Sequence, residues 1–238
     1  MILIGEMKER ARHALERRLF GKVWMTFVLC NLIVALILGL PNTIGSMITL
    51  ASAAAGAIVE FLLLLGTVVV SGPLNYGVAR MYHKAAKGEP CGKIEDLFIG
   101  FKEDFADSWV LGFMRNLYIF LWSLLLIVPG IVKAYSYSMA FFIQQESEEK
   151  DWRTCLDESN DLTYGYKGKL FLADLSFIGW YLLGAICFGV GLLWVEAYHI
   201  ETRAHFYEEL KKIKHKDVGT TVEQGEAEQS VFEETSDR

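Results

Sequence analysis

The sequence predicts an all-α, polytopic helical membrane protein with about six crossings arranged as three hairpins. Three observations carry that prediction. Apolar residues make up 53% of 238 residues and the mean hydropathy is +0.28. Charge-free runs reach the length needed to cross a bilayer, as in the 18 residues Val23 to Leu40. The run Trp109 to Gln144 holds only Arg115 and Lys133 as charges and is interrupted by Pro129-Gly130, a pair that breaks or turns a helix because proline lacks an amide hydrogen. That stretch reads as a helix, a tight turn and a return helix in lipid.

Taken in order, residues 5–20 place Met7, Ala11, Ala14, Leu15 and Leu19 at helical spacing with Arg10, Arg12, Arg17 and Arg18 around the rest, the pattern of a basic amphipathic helix lying on a membrane surface. Span 1 follows near 22–40 and stops at Pro41-Asn42, with PNTIGSM as an external turn. Ala51-Ser52-Ala53 resembles a signal-peptide cleavage site, but the apolar run is longer than an h-region and further spans follow, so the first span is read as retained. Span 2, near 49–72, passes the small residues Ser52 to Gly56 and ends at Gly72-Pro73.

Ile94, Leu97, Phe98 and Phe101 then recur at i, i+3, i+4 and i+7, marking a second amphipathic helix against lipid or bundle. Spans 3 and 4 lie near 109–128 and 130–144. The fourth is only about 22 Å long against a core of about 30 Å, so it sits shallow, thins the bilayer or is re-entrant. A third amphipathic helix carries Trp152, Cys155 and Leu156, spans 5 and 6 lie near 170–188 and 192–208, and Gly189-Val190-Gly191 turns between them. The order of amphipathic helix, Phe/Gly/Lys knot, span, turn and span therefore repeats three times, in a single membrane domain over residues 1–216.

The net charge of −6 says nothing about partners, because the tail alone supplies it: seven carboxylates from Asp217 to Asp237 face one Arg238. Residues 217–238 are too poor in apolar surface to fold and read as a disordered tail. No basic patch of the kind nucleic acid requires is present. Lys and Arg cluster before span 1, in 80–102, in 145–169 and after span 6, whereas the opposite turns have none, which places both termini in the cytoplasm. Cys30, Cys91, Cys155 and Cys187 lack metal or disulfide spacing and read as reduced thiols.

Ionisable groups at membrane depth are functional candidates by default. They are Glu60, Arg115, Lys133, Asp174, Glu196 and His199, with Arg203 on the same face as the last two. Arg115 and Lys133, near opposite membrane faces, are read as snorkelling to headgroups. Glu60, counted about 16 Å into span 2, is read as a mid-membrane partner of Lys133, with a substrate or ion contact as the alternative. Asp174 is interfacial, and Glu196, His199 and Arg203 form an ion-pair row at the end of span 6. A lone Glu-x-x-His does not make a bundle metal site, which needs a second such motif and two more glutamates. Aromatic residues at span ends, Tyr181 among them, read as an interfacial belt or as helix packing. No cofactor fingerprint is present: the sequence lacks GxSxG, HExxH, P-loop and Rossmann patterns.

The stretches WSLLLIVPGIVKAYSYSMAFFI and YGYKGKLFLADLSFIGWYLLGAICFGVGLLWVEAY, with GPLNYGVARMYHKAAKGE and IEDLFIGFK before them, resemble the bacterial integral membrane family catalogued as domain of unknown function nine-seven-five. The resemblance extends over most of residues 5–210. It implies a multi-pass protein of a bacterial cytoplasmic membrane and carries no activity to any residue. Three functions stay open: a non-enzymatic scaffold or accessory protein meeting lipid and protein partners through its cytoplasmic helices and tail; a small transporter or channel using Glu60, Lys133 and the Pro129-Gly130 break; and a lipid-acting enzyme with Asp174, Arg115 and Asn116 in one pocket.

Overall fold

In a computed structural model the described residues are 4–15, 21–51, 53–91, 93–147, 151–186 and 189–236, with side chains described to residue 215 apart from 42, 50–55 and 190. All regular structure among them is helical: α1 (Ile4–Ala14), α2 (Lys22–Ala51), α3 (Ala53–Ala86), a 3-10 turn (Ile94–Phe98), α4 (Ile99–Lys102), α5 (Phe105–Leu125), α6 (Ile127–Ser136), α7 (Ala140–Glu146), α8 (Trp152–Leu162), α9 (Lys167–Leu175), α10 (Ile178–Ile186) and α11 (Val190–Ser236). Four segments are long and apolar enough to cross a membrane: Lys22–Thr49, Gly56–Ala86, Phe105–Leu125 and Lys167–Ile186.

Three helical hairpins form, α2 with α3, α5 with α6, and α10 with α11, each preceded by a short helical piece. Their free ends and the short helices gather at one polar end, where the core lies: Tyr76, Tyr82, Phe27, Phe177, Phe206, Tyr207 and Met7 are almost wholly enclosed. Away from it, large apolar side chains such as Met47, Ile58, Leu124, Ile127 and Ile186 are bare, the inverse of a water-soluble fold.

Several boundaries differ from the sequence reading. The first hairpin does not turn at Pro41; α2 runs through that proline and the chain reverses between Ala51 and Ala53. Ile44, Met47 and Ile48 continue the apolar surface, and a proline inside a long apolar helix is tolerated when one backbone bond is the only loss. Likewise α3 does not end at Gly72-Pro73 but continues to Ala86, because that pair is a packing surface: a Cβ on Gly72 would overlap Ser108 and Trp109, and one on Gly77 would collide with the Leu97 backbone.

The central break falls at Leu126, which is extended (φ −160°, ψ 143°), and Pro129 sits in the first turn of α6, where no amide hydrogen is needed. The return limb is then itself broken, at Tyr137–Met139. The exposed backbone there is satisfied from outside: Ser159 Oγ donates to the Ser136 carbonyl (2.7 Å), the Met139 amide donates to Ser159 Oγ (3.2 Å), and Arg115 Nε donates to the Tyr137 carbonyl (3.0 Å).

The amphipathic periodicity of α1 serves protein rather than lipid. Met7, Ala11 and Leu15 are buried, Arg10 pairs with Glu209 at 2.9 Å, and Tyr198 donates to the Lys8 carbonyl at 3.2 Å, so the helix is strapped to α11. A stripe at 3.6-residue spacing needs only an apolar neighbour, and the chain supplies one. In α8, capped by Asp151 accepting from the Thr154 amide, Cys155, Leu156 and Ser159 are likewise buried. Leu97 is buried in the 3-10 turn while Ile94 is exposed. α11 remains helical to Ser236, through the segment expected to lack structure; local backbone bonding requires no core of its own. Cys187 and the Leu19–Phe20 end of the first amphipathic stretch lie outside the described residues.

Candidate functional site

The polar residues singled out at depth fall into two groups. Glu60 stands apart. It is exposed on α3, accepts a hydrogen bond from Thr49 Oγ1 (2.8 Å) and lines a 450 Å³ groove with Pro41 and Phe61. It lies level with Gly45 and Pro41, and Pro41 is 19 helical residues beyond Lys22, about 29 Å. Glu60 therefore lies beside the second half of α2, against Gly45 and Thr49. Lys133 does not pair with it: its Nζ lies over the rings of Trp122 (5.4 Å) and Tyr137 (5.3 Å). The expected Glu60–Lys133 ion pair rested on a turn at Pro41, and moving the turn removes it.

Asp174, Glu196, His199 and Arg203 do converge. Asp174 near the end of α9 accepts from Arg203, from Tyr135 Oη (2.9 Å) and from His199 Nε2 (2.7 Å). The other ring nitrogen of His199 faces Tyr181 Oη at 3.0 Å, and that hydroxyl donates to Glu196 at 2.6 Å. The row on α11 is thus no solvated ladder within one helix; its partners stand on α9, α10 and α6. Positions i, i+3 and i+7 of α11 face the break between α9 and α10, at Ser176–Phe177, which lets Asp174 and Tyr181 reach the same stripe. Side-chain exposure is 21% for Asp174 and 16% for His199.

Donor counting fixes what this chain can do. Tyr181 has one proton. If it goes to Glu196, His199 must donate from Nδ1 as well as Nε2, and the ring is an imidazolium between two carboxylates. If instead Glu196 holds a proton, Tyr181 donates to Nδ1 and the ring is neutral. The two arrangements differ by one proton moved between His199 and Glu196 through the hydroxyl. Both ring nitrogens are engaged in either, leaving no lone pair for a metal. Arg115 donates to the Tyr137 carbonyl and Asn116 is exposed.

A second charged group escaped sequence reasoning. Glu146, the last residue of α7, accepts from Lys87, Lys211 and Tyr207 (2.7 Å) and faces His83, which pairs with Glu208 at 2.7 Å. Burial works to raise the Glu146 carboxyl, but hydrogen bonds from Lys211, Lys87 and Tyr207 outweigh it and hold the group down at about 2. His83, Glu146 and Glu208 offer ligand atoms within 4.8 Å of one another, yet a divalent cation there would have to displace two lysines. The group acts as a clamp joining α3, α7 and α11. Beside it opens a 590 Å³ cavity lined by Glu146, Glu158 and Asp161 on one side and Lys211, Lys214 and His215 on the other. No spacing links residues 83, 146 and 208 in sequence.

The depressed carboxyl makes a prediction with a definite sign. Its contribution is complete above the ordinary glutamate range near pH 4.5 and is lost as pH falls toward about 2. Glu146→Gln should cost about 2 kcal/mol at neutral pH, read as a lowered unfolding midpoint in detergent, and its difference from wild type should shrink below pH 4.

Fold and site together define an all-helical protein with several helices able to cross a membrane and polar side chains paired among them. Residues 124–214 match the model of the family described as Protein of unknown function (DUF975), the family that the motifs of this stretch resemble. The match takes in Lys133, Asp174, Tyr181, Glu196 and His199 and leaves out Glu60 and Arg115. No curated protein and no solved structure matches the chain.

Proposed function

We propose that the chain is a non-enzymatic scaffold or accessory protein of a bacterial cytoplasmic membrane, crossing six times with both termini in the cytoplasm. The observation that supports this reading is the polar end. The short amphipathic helices are spent on building it, its charges are joined in clamps between hairpins, and a mixed-charge cavity between α7, α8 and α11 opens where a cytoplasmic partner would meet it. The long apolar rods then serve to hold that end at the membrane.

A small transporter is the second reading, favoured by the hydrogen-bonded chain from Arg203 through Asp174, His199 and Tyr181 to Glu196, which can move a proton along the last hairpin. One paired experiment separates them. A photo-cross-linker placed at Asp161 in cells should capture discrete protein adducts, while proteoliposomes carrying a pH-sensitive dye should show no proton flux above empty vesicles. Flux that Tyr181→Phe abolishes, with no adducts, would reverse the ranking.

A further inference from the structure

Lys133 is a cation without a carboxylate partner among the described residues. Its Nζ rests over Trp122 and Tyr137. The carboxylate on its side of the bundle, Asp174, is engaged by Arg203, His199 and Tyr135. Lys167, at the start of α9, which packs on α6, adds a second positive charge in this region; its Nζ donates to Asn160 at 3.1 Å, and Asp161 offsets part of its charge. Arg115, whose guanidinium is held by the Tyr137 carbonyl, lies over the Phe141 ring at 5.8 Å.

Trp122 also belongs to a 670 Å³ groove on α5 lined by Tyr118, Leu121, Leu124 and Leu125, almost wholly apolar and open to the outside. Tyr118 extends the wall toward the polar end by packing on Tyr137 and Trp152, each at 6.3 Å between ring centres. This apolar trough thus adjoins, through Trp122, the ammonium of Lys133, which has no carboxylate partner among the described residues.

We propose that this trough binds one anionic glycerophospholipid of the surrounding bilayer, its phosphate between Lys133 and Lys167 and an acyl chain along Tyr118, Leu121, Trp122 and Leu125. The chemistry selects the headgroup. An unpaired ammonium at low dielectric is costly, the aromatic faces offset part of that cost, and a phosphodiester supplies the missing charge. Basic pockets between membrane helices recognise anionic headgroups in this way. A zwitterionic choline lipid brings its own cation to two lysines and is disfavoured.

The test is competition between phosphatidylglycerol and phosphatidylcholine for the delipidated full chain, read as lipid adducts by native mass spectrometry. Wild type should retain phosphatidylglycerol selectively, and Lys133→Met should reduce the preference about fivefold. Lys133→Arg should keep it, and Lys167→Met should lower it independently, so loss through misfolding is distinguishable by the two lysine sites agreeing while the arginine variant stays selective. Equal retention of both lipids by wild type, or an undiminished preference in Lys133→Met, would show ordinary annular lipid and overturn the proposal.

Discussion

Replacing Asp174 by Asn should lower the stability of the folded chain by about 3 kcal/mol, the range seen when one member of a buried charge network is removed and the others stay behind. The isostere retains the shape of the side chain but offers one acceptor where two oxygens now receive Arg203, Tyr135 and His199, and it turns an amide NH2 toward groups that are themselves donors. Arg203 and His199 are then left half-buried without a counter-charge. Glu60→Gln is the control: Glu60 is exposed, and the amide oxygen can still accept from Thr49, so its change should stay within about 0.5 kcal/mol. Unfolding midpoints of both variants in the same detergent measure the contrast. Combining Asp174→Asn with Arg203→Met should recover part of the loss, because the orphaned cation is gone; a single variant within 1 kcal/mol of wild type would mean that water, rather than these partners, satisfies Asp174.

The residues that were legible in sequence and those that were not differ in a physical way. Hydrophobic length and Lys/Arg spacing announce helices able to cross a bilayer and their grouping into hairpins, because those depend on local composition. Asp174, Glu196 and His199 could be named as polar residues in apolar surroundings, again a local property. What one sequence does not contain is the relative level of helices that meet only in three dimensions. The Glu60–Lys133 pair failed for that reason: α2 runs on past Pro41 and sets Glu60 beside Gly45 and Thr49, while Lys133 rests over Trp122 and Tyr137. Tyr181, read as one of many aromatic residues at a span end, is the link between His199 and Glu196, and nothing distinguishes it from Trp180 beside it until α10 is set against α11. The Glu146 clamp is drawn from three distant elements, and no local pattern in the sequence marks its members.

The same distinction governs glycine, and it gives the second large effect. Gly77→Val should cost 3 kcal/mol or more and reduce the yield of folded protein, although alanine-to-valine changes in a lipid-facing helix are ordinarily mild. α3 presents Gly72, Pro73 and Gly77 in succession to the chain that crosses it: Gly100 meets Pro73, Gly112 meets Gly72, and the Leu97 carbonyl occupies the space a Gly77 side chain would need. Leu97 is fully enclosed and belongs to a short 3-10 turn, while the neighbouring Tyr76 donates to Asp104 just before α5 (2.9 Å), so the colliding backbone cannot withdraw without pulling that bond apart. Overpacking of this kind costs about 1 to 3 kcal/mol where side chains can yield, and more where the obstacle is main chain. Gly66→Val, eleven residues earlier on the same helix with open space where its side chain would go, should be close to neutral by the same midpoint measurement. If both variants unfold together with wild type, α3 does not receive the 3-10 turn on its glycines; if both are equally damaged, valine is opposing the helix itself and the crossing is not the cause. Only Gly77 failing while Gly66 is spared agrees with a bundle in which the 3-10 turn, α4 and α5 are seated on one bare strip of α3.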